Sequence, residues 1–449
     1  MTERTQTLFS NKELKLILLP LLAEQVLAVA LGMFDTVMVS SVGEAAVSGV
    51  SLVDSINILL INIFTALATG GAVACSHFIG EKDMSRARNA AKQLYYVVFA
   101  VAAGLMSIAL VFSGGILNLV FGDVSDDVMG YARTYFIITA ISYPFLAIYN
   151  GGAALFRAMG NSRVSLCVSL AMNLLNIGGN ALLIYGCGLG VIGAAAATLF
   201  SRIFGAAVML TLSHKKSNPL CVGNIFRVRL CLPIIKKILY VGIPGGMENG
   251  MFQLGKLLTQ SLVSGFGTAV IAANAVAHTL SSFEYAAGGA VGLTMITVIG
   301  RCIGAQETEQ AKYYARKLLK TAYTMMICVA VLLTIFAGPI ISLFGLSEQA
   351  AHTALYLVLM HNAATALVWP IAFTLPNAFR AANDVHFTMI TSVASMWVFR
   401  VAGSYVLGLG FGLGVYGVWI AMFCDWVFRY ALFLIRLLSN RWLLKYKKV

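Results

Sequence analysis

Charge is what this sequence has least of. Of 449 residues only 11% are Asp, Glu, Lys or Arg, while 59% are hydrophobic. An ordinary soluble domain carries about a quarter charged residues, so a freely water-soluble globule is excluded and the bilayer becomes the solvent. No removable leader is expected either. The opening "MTERTQTLFSNKELK" is polar for too long to be a signal-peptide n-region, and no small-residue cleavage site follows the first apolar run. The first helix is therefore expected to stay. None of the eight cysteines (75, 167, 187, 221, 231, 302, 328 and 424) forms a CxxC pair. They read as small helix hydrophobes rather than a disulfide or metal framework. The histidines at 77, 214, 278, 352, 361 and 386 lack metal-ligand spacing. There is no Walker A lysine loop, GxSxG elbow or HExxH pair. No enzyme is expected, and no cofactor; any work the protein does must draw on an ion gradient.

What is present is a series of apolar runs, each of the roughly twenty residues needed to cross the hydrocarbon core. Twelve begin near residues 14, 48, 93, 130, 163, 190, 238, 269, 317, 350, 385 and 413. The alternation of an outer-membrane barrel strand is absent. The fold class is an all-α polytopic membrane protein with twelve transmembrane helices.

The +13 net charge is distributed to one side. Counting from an inside amino terminus, the even loops hold "GEKDMSRARNAAK", "RAMGNSR", "SHKKSNPLCVGNIFRVRLCLPIIKK", "GRCIGAQETEQAKYYARKLLK" and "FRAANDVH". The odd loops, such as "SVGEAAVS", "FGDVSDD" and "FGLSEQ", are short and acidic or neutral. This positive-inside pattern puts both termini in the cytoplasm. The basic excess orients the chain in a plasma (inner) membrane and does not point to nucleic acid.

The chain is written twice. At an offset of 224, Pro20 meets Pro244, Glu24 meets Glu248, Gly43 meets Gly267, Ile79-Gly80 meets Ile303-Gly304, and Lys92 meets Arg316. At 223, Phe121-Gly122 meets Phe344-Gly345 and Arg157 meets Arg380. Gly190 and Gly193 meet Gly414 and Gly417 at the first offset. Each copy holds six spans, an even number, so the copies are parallel repeats related by an axis along the membrane normal. The expected division is a lobe over 1–213, a cytoplasmic linker over 214–232 and a second lobe over 233–449. Two such bundles suit alternating access.

The segments "FIGEKDMSRARNAAKQ" and "CIGAQETEQAKYYARK", the pair "ALFRAMGNSR" and "NAFRAANDVH", the run "MFDTVMVSSVG" and the run "GLGVIGAAAAT" together resemble the multidrug and toxic compound extrusion family. Their order and duplication make the likeness specific, and it covers nearly the whole chain. The resemblance implies two six-helix lobes meeting in a V around a central cavity. It also implies export of drugs or toxic organic cations against proton or sodium entry. Separately, a monomer is expected.

A carboxylate in the bilayer costs roughly 2.5–3.5 kcal/mol on insertion scales and is a functional candidate by default. Span 1 carries two, Glu24 and Asp35. Eleven residues apart, they share nearly one helix face about 16 Å apart along the axis. In "SLAMNLLNIGGNALLIYG", Asn176 and Asn180 are i, i+4 neighbours, with Asn173 nearby, and Thr198 follows on span 6. Amide, hydroxyl and carboxylate oxygens are hard ligands suited to a small alkali cation. By resemblance, Asp35, Asn176, Asn180 and Thr198 match the family's amino-lobe polar site, so Asp35, Asn176 and Asn180 are candidate Na+ ligands or Asp35 a proton carrier. Several members carry an aspartate where this chain has Asn180, so the resemblance does not carry a two-carboxylate proton site over to this chain. Helix-to-helix bonding is an equal alternative for Asn173.

Glu24 and Glu248 each follow a helix-kinking proline, Pro20 and Pro244, by four residues. Paired broken helices point to a transport site. The two glutamates are read as cavity acids for cations or protons, with hydrogen bonding from a neighbouring helix as the structural alternative. Met33, Met251 and Tyr285 supply soft and aromatic surface for a permissive cavity. Asp35 has Thr259 as its register-mate, while the second copy carries Lys256 and Glu284. An unpaired lysine in the bilayer is unfavourable, so Lys256 is expected to pair with Glu284 or Glu248. Asp425 and Arg429 form a local i, i+4 pair; Arg202 and Arg400 have no evident partner in sequence. The rival readings are a lipid-linked precursor flippase, which would favour a basic cavity, and a membrane receptor or channel subunit.

Overall fold

The computed structural model describes residues 7–444 except 123 and 226; within the first helix the side chains at 31–37 and 40 fall outside the description. The described residues are helices and their connections, with no strand among them. Two compact units emerge, Lys15–Gly246 and Met247–Val449 together with Met1–Leu14.

The first unit contains most of α1 (Asn11–Ser40), followed by α2 (Glu44–Gly80), α3 (Met84–Val111), α4 (Ser113–Phe121), α5 (Asp126–Ile141), α6 (Tyr143–Ala158), α7 (Ser162–Asn180) and α8 (Gly190–His214). It also takes the leading half of α9 (Leu232–Ser264). The second contains the rest of α9, then α10 (Thr268–Gly304), α11 (Thr308–Ser342), α12 (Glu348–Trp369), α13 (Pro376–Ala381), α14 (Val385–Ser395), α15 (Gly403–Tyr405) and α16 (Gly414–Leu438). Each of the twelve expected spans falls on helix. Among the described residues, nine helices meet the length and apolarity needed to cross a membrane. The pair α5 and α6 meets the same test only when taken together, bent by 48° at the junction, where Pro144, two residues after Ser142, cannot donate to the helical ladder.

The core is built from small side chains. In α2 the stretch "ALATGGAVACSHF" (66–78) is almost wholly buried, as membrane helices require for close backbone approach. Gly70 and Gly242 are the clearest instance: a Cβ on Gly70 would lie 2.3 Å from the Ile238 carbonyl oxygen. That contact holds the first half of α9 against α2 within the first unit. The start of the chain is fastened in the second unit. The Tyr314 hydroxyl donates to the Phe9 carbonyl at 2.7 Å, the Phe9 amide donates to Tyr314 Oη at 2.9 Å, and the Arg301 guanidinium lies 5.6 Å from the Phe9 ring. The compact units thus divide inside α1 and α9, at Leu14/Lys15 and Gly246/Met247, whereas the expected boundaries followed the linker.

The repeat extends to backbone detail. Gly43 and Gly267, in matching register, precede α2 and α10 with φ of +127° and +98°, a region that favours glycine. Lys82 and Gln306, also 224 apart in number, both turn left-handed at the loops after those helices. The span containing α7 ends in a π-helical stretch, Ala181–Gly186, and its counterpart contains two, Met396–Ala402 and Val406–Gly410.

Candidate functional site

A cavity of about 360 Å³ opens within the first unit. Val39 of α1, Ser51 and Asp54 of α2, Tyr135 of α5, Asn173, Asn176 and Asn180 of α7, and Thr198 and Arg202 of α8 line it with several apolar side chains. Three of the expected ion-site residues form one hydrogen-bonded chain. Asn180 Nδ2 donates to Asn176 Oδ1 at 3.3 Å, Asn176 Nδ2 donates to Thr198 Oγ1 at 3.1 Å, and Thr198 Oγ1 donates to the Ala194 carbonyl at 3.0 Å. The i, i+4 spacing on α7 and the approach of α8 produce this chain. Asn173 also lines the cavity, but its Nδ2 donates back to the Ser169 carbonyl at 2.9 Å. Asp35 and Met33 lie among the residues whose side chains are not described; Asp35 stands one helical turn before Val39.

Asp54 completes the acidic chemistry of this cavity and was passed over in the sequence, although a carboxylate in the apolar run "SLVDSINILL" is itself a signal. Its Oδ1 accepts from Asn57 Nδ2 at 3.2 Å, and the Tyr135 hydroxyl donates to the same carboxylate. Arg202 acts on it electrostatically but makes no ion pair with it within 4 Å among the described residues; its Nη1 donates to Ser142 Oγ at 2.6 Å. Amide, hydroxyl and carboxylate oxygens therefore line one cavity, the hard donor set a small alkali cation takes. No cluster of three or more His, Cys, Asp or Glu suited to a bound metal occurs among the described residues.

Glu24 and Glu248 are both held by arginines. In the first unit Glu24 Oε2 accepts from Ser165 Oγ at 2.8 Å, and Arg157 Nη1 lies 3.8 Å from its Oε1. In the second, Arg380 Nη2 contacts Glu248 Oε1 at 2.8 Å, and Asn377 Oδ1 accepts from Arg380 Nη1 at 2.9 Å. The arginines belong to the repeated "ALFRAMG" and "NAFRAAN" segments. Both carboxylates are mostly buried, which gives them the geometry of the structural alternative: a helix-1 acid tied to the end of its neighbour. Pro20 and Pro244 lie inside α1 and α9, four residues before these acids.

The second unit has a different polar interior. Glu284 on α10 is fully buried beside His361 on α12, with Nδ1 to Oε2 at 3.4 Å. The Tyr285 hydroxyl lies 2.8 Å from His361 Nε2, and its ring stacks on Trp369 with centroids 5.4 Å apart. Tyr285 and Met251 are half-buried. The local pair at Asp425 and Arg429 closes at 2.8 Å, and the Arg429 guanidinium also donates to the Ser392 carbonyl at 3.0 Å.

The pair expected for Lys256 is not there. Glu284 faces His361, Glu248 is held by Arg380, and no carboxylate lies within 4 Å of Lys256 among the described residues. The reason is rotational: α9 turns the lysine to an exposed position, while Glu284 on α10 points into the α10–α12 interior.

The family profile described as MatE matches residues 20–182 and again residues 244–406. The chain belongs to the MatE family. The two matches begin at Pro20 and Pro244, so the MatE domain is the repeat seen in the sequence. An uncharacterized transporter of Bacillus subtilis, YisQ, is 27% identical over 91% of this chain and 90% of its own length. A probable multidrug resistance protein NorM of Thermotoga maritima is 25% identical over 96% and 93%. Among solved structures, an outward-facing multidrug resistance MATE family transporter of the MOP superfamily superposes with a TM-score of 0.89 at 18% identity, covering 96% of both chains. A MOP superfamily transporter from Pyrococcus furiosus, described as having a binding pocket of reversed polarity, superposes at 0.88 with 19% identity over 98% and 97%. These likenesses fix the two-lobe MATE fold and a multi-pass membrane transporter.

Proposed function

We propose that this MATE protein is a secondary antiporter that exports small organic cations from the cytoplasm in exchange for protons or sodium ions. The observation that carries this reading is the first-lobe cavity, where Asn176, Asn180 and Thr198 form one hydrogen-bonded chain beside Asp54. Asp35, one turn before the cavity-lining Val39, is the coupling acid. Ion entry there biases one of two states of the lobe, and cargo biases the other. Multidrug resistance relatives such as NorM support small organic cargo, and the basic even loops support cytoplasmic termini in a plasma membrane. The chain works as a monomer on this reading, because each lobe contains its own polar interior.

The test is efflux of a fluorescent organic cation from sealed vesicles carrying the purified protein, with a sodium or a proton gradient imposed separately. Gradient-dependent, cargo-coupled flux of one ion is expected. Cargo movement indifferent to both gradients would remove the antiport assignment.

A further inference from the structure

In the second lobe one buried base beside α9 has no carboxylate within ion-pair distance among the described residues. Arg400 sits in the π-helical stretch Met396–Ala402 and is only 7% exposed. Its guanidinium makes no hydrogen bond to any described residue, and no carboxylate lies within 4 Å of it among those residues. The face of Phe252 lies 5.5 Å away, a ring it shares with Arg429. Arg429 is already committed to Asp425 and the Ser392 carbonyl, and Asp425 in turn accepts from Ser395. Asp425 also acts on Arg400 electrostatically, from beyond 4 Å, so one carboxylate serves two guanidiniums.

Lys256 adds to the same charge. It lies one helical turn beyond Phe252 on α9, next to Gly255. A Cβ on Gly255 would meet Met396 at 2.4 Å and Val401 at 3.3 Å, so α9 lies directly against the stretch that carries Arg400. Lys256, Arg400 and His278 are within electrostatic reach of one another. Arg400 and His278 line a small cavity of about 20 Å³ with Asn274, Gln260, Thr259 and Trp419. That volume admits about one water molecule, so an anionic group would meet Arg400 from outside this small cavity.

A buried guanidinium without an acceptor is costly, and charged groups retained inside a membrane protein mark ligand pathways. A guanidinium whose face is occupied by an aromatic ring keeps its N–H edge for a planar two-oxygen acceptor. We propose that Arg400 and Lys256 form an anion subsite in the second lobe, which takes a carboxylate or phosphate group carried by the cargo. This rests on the export reading but adds to it: cargo includes zwitterions and organic anions, with their anionic end at Arg400 and Lys256.

Binding without a gradient tests this apart from ion coupling. A rhodamine with a free carboxylate and the ethyl ester of the same dye are titrated against purified protein by fluorescence polarisation. Lys256→Gln and Arg400→Gln are each expected to weaken the acid about tenfold or more, with the ester changed less than twofold; Arg400→Lys should recover part of the loss. Ester binding also reports folding, and if Arg400→Gln loses it, the exposed Lys256 carries the test alone. Displacement of the acid by benzoate or by phenyl phosphate identifies which oxygen group fits better. The proposal is overturned if Lys256→Gln leaves acid affinity unchanged, if acid and ester weaken equally, or if neither anion competes.

Discussion

Arg380 contacts the carboxylate of Glu248 at 2.8 Å in the second lobe, at the repeat position where Arg157 faces Glu24 in the first. A buried pair is unfavourable to break, because removing one partner leaves the other charge desolvated, at a cost of about 3–5 kcal/mol. Glu248→Gln should therefore lower thermal stability in detergent markedly. Adding Arg380→Gln should cost less than the sum of the two single changes, measured as a double-mutant cycle. Fully additive losses would mean that the two side chains do not act together.

Close helix approach at Gly70 gives a prediction about packing alone. An alanine methyl there meets the Ile238 carbonyl at 2.3 Å, and backbone cannot move aside as a flexible side chain can. Gly70→Ala should destabilise by about 1–3 kcal/mol, whereas Gly104→Ala, where a Cβ meets nothing within 4 Å, should be neutral or slightly stabilising. Unfolding midpoints of the two variants measured side by side check the contrast.

Lys256 should matter little to folding. It is exposed and has no acid within 4 Å among the described residues, so Lys256→Met is expected to change stability by less than about 0.5 kcal/mol. A large loss in the unfolding midpoint would reveal a structural partner for the lysine.

Asp54 shares the first-lobe cavity with Asn176, Asn180 and Thr198. Asp54→Asn keeps the shape and removes the charge, so the ion concentration that half-saturates efflux should rise about tenfold, the equivalent of about 1.4 kcal/mol. Unchanged ion dependence would assign Asp54 to helix packing through Asn57 and Tyr135.

Much of this was legible in sequence because hydropathy and repetition are coarse signals. Runs of about twenty apolar residues marked the spans, and the offset of 224 was strong enough to match Gly43 with Gly267. Asn176 and Asn180 were found because i, i+4 spacing fixes a shared helix face, and Thr198 through the resemblance to the family's polar site. Side-chain pairing was harder. Glu24 and Glu248 were seen, but their arginines stand some 130 residues downstream, and only the folded lobe brings them near. Lys256 was assigned an acid on energetic grounds alone, and the rotation of α9 that exposes it has no sequence marker. The π-helical stretches are equally silent in sequence, since a shift in backbone hydrogen-bond register leaves composition unchanged.

The central claim is that ion coupling runs through the first lobe at Asp35. Ion-driven efflux of a fluorescent cation, measured in vesicles for wild type, Asp35→Asn and Glu284→Gln at matched protein density, tests it most directly. The account predicts that Asp35→Asn abolishes gradient dependence while Glu284→Gln retains it. Normal ion-driven export by Asp35→Asn would contradict it.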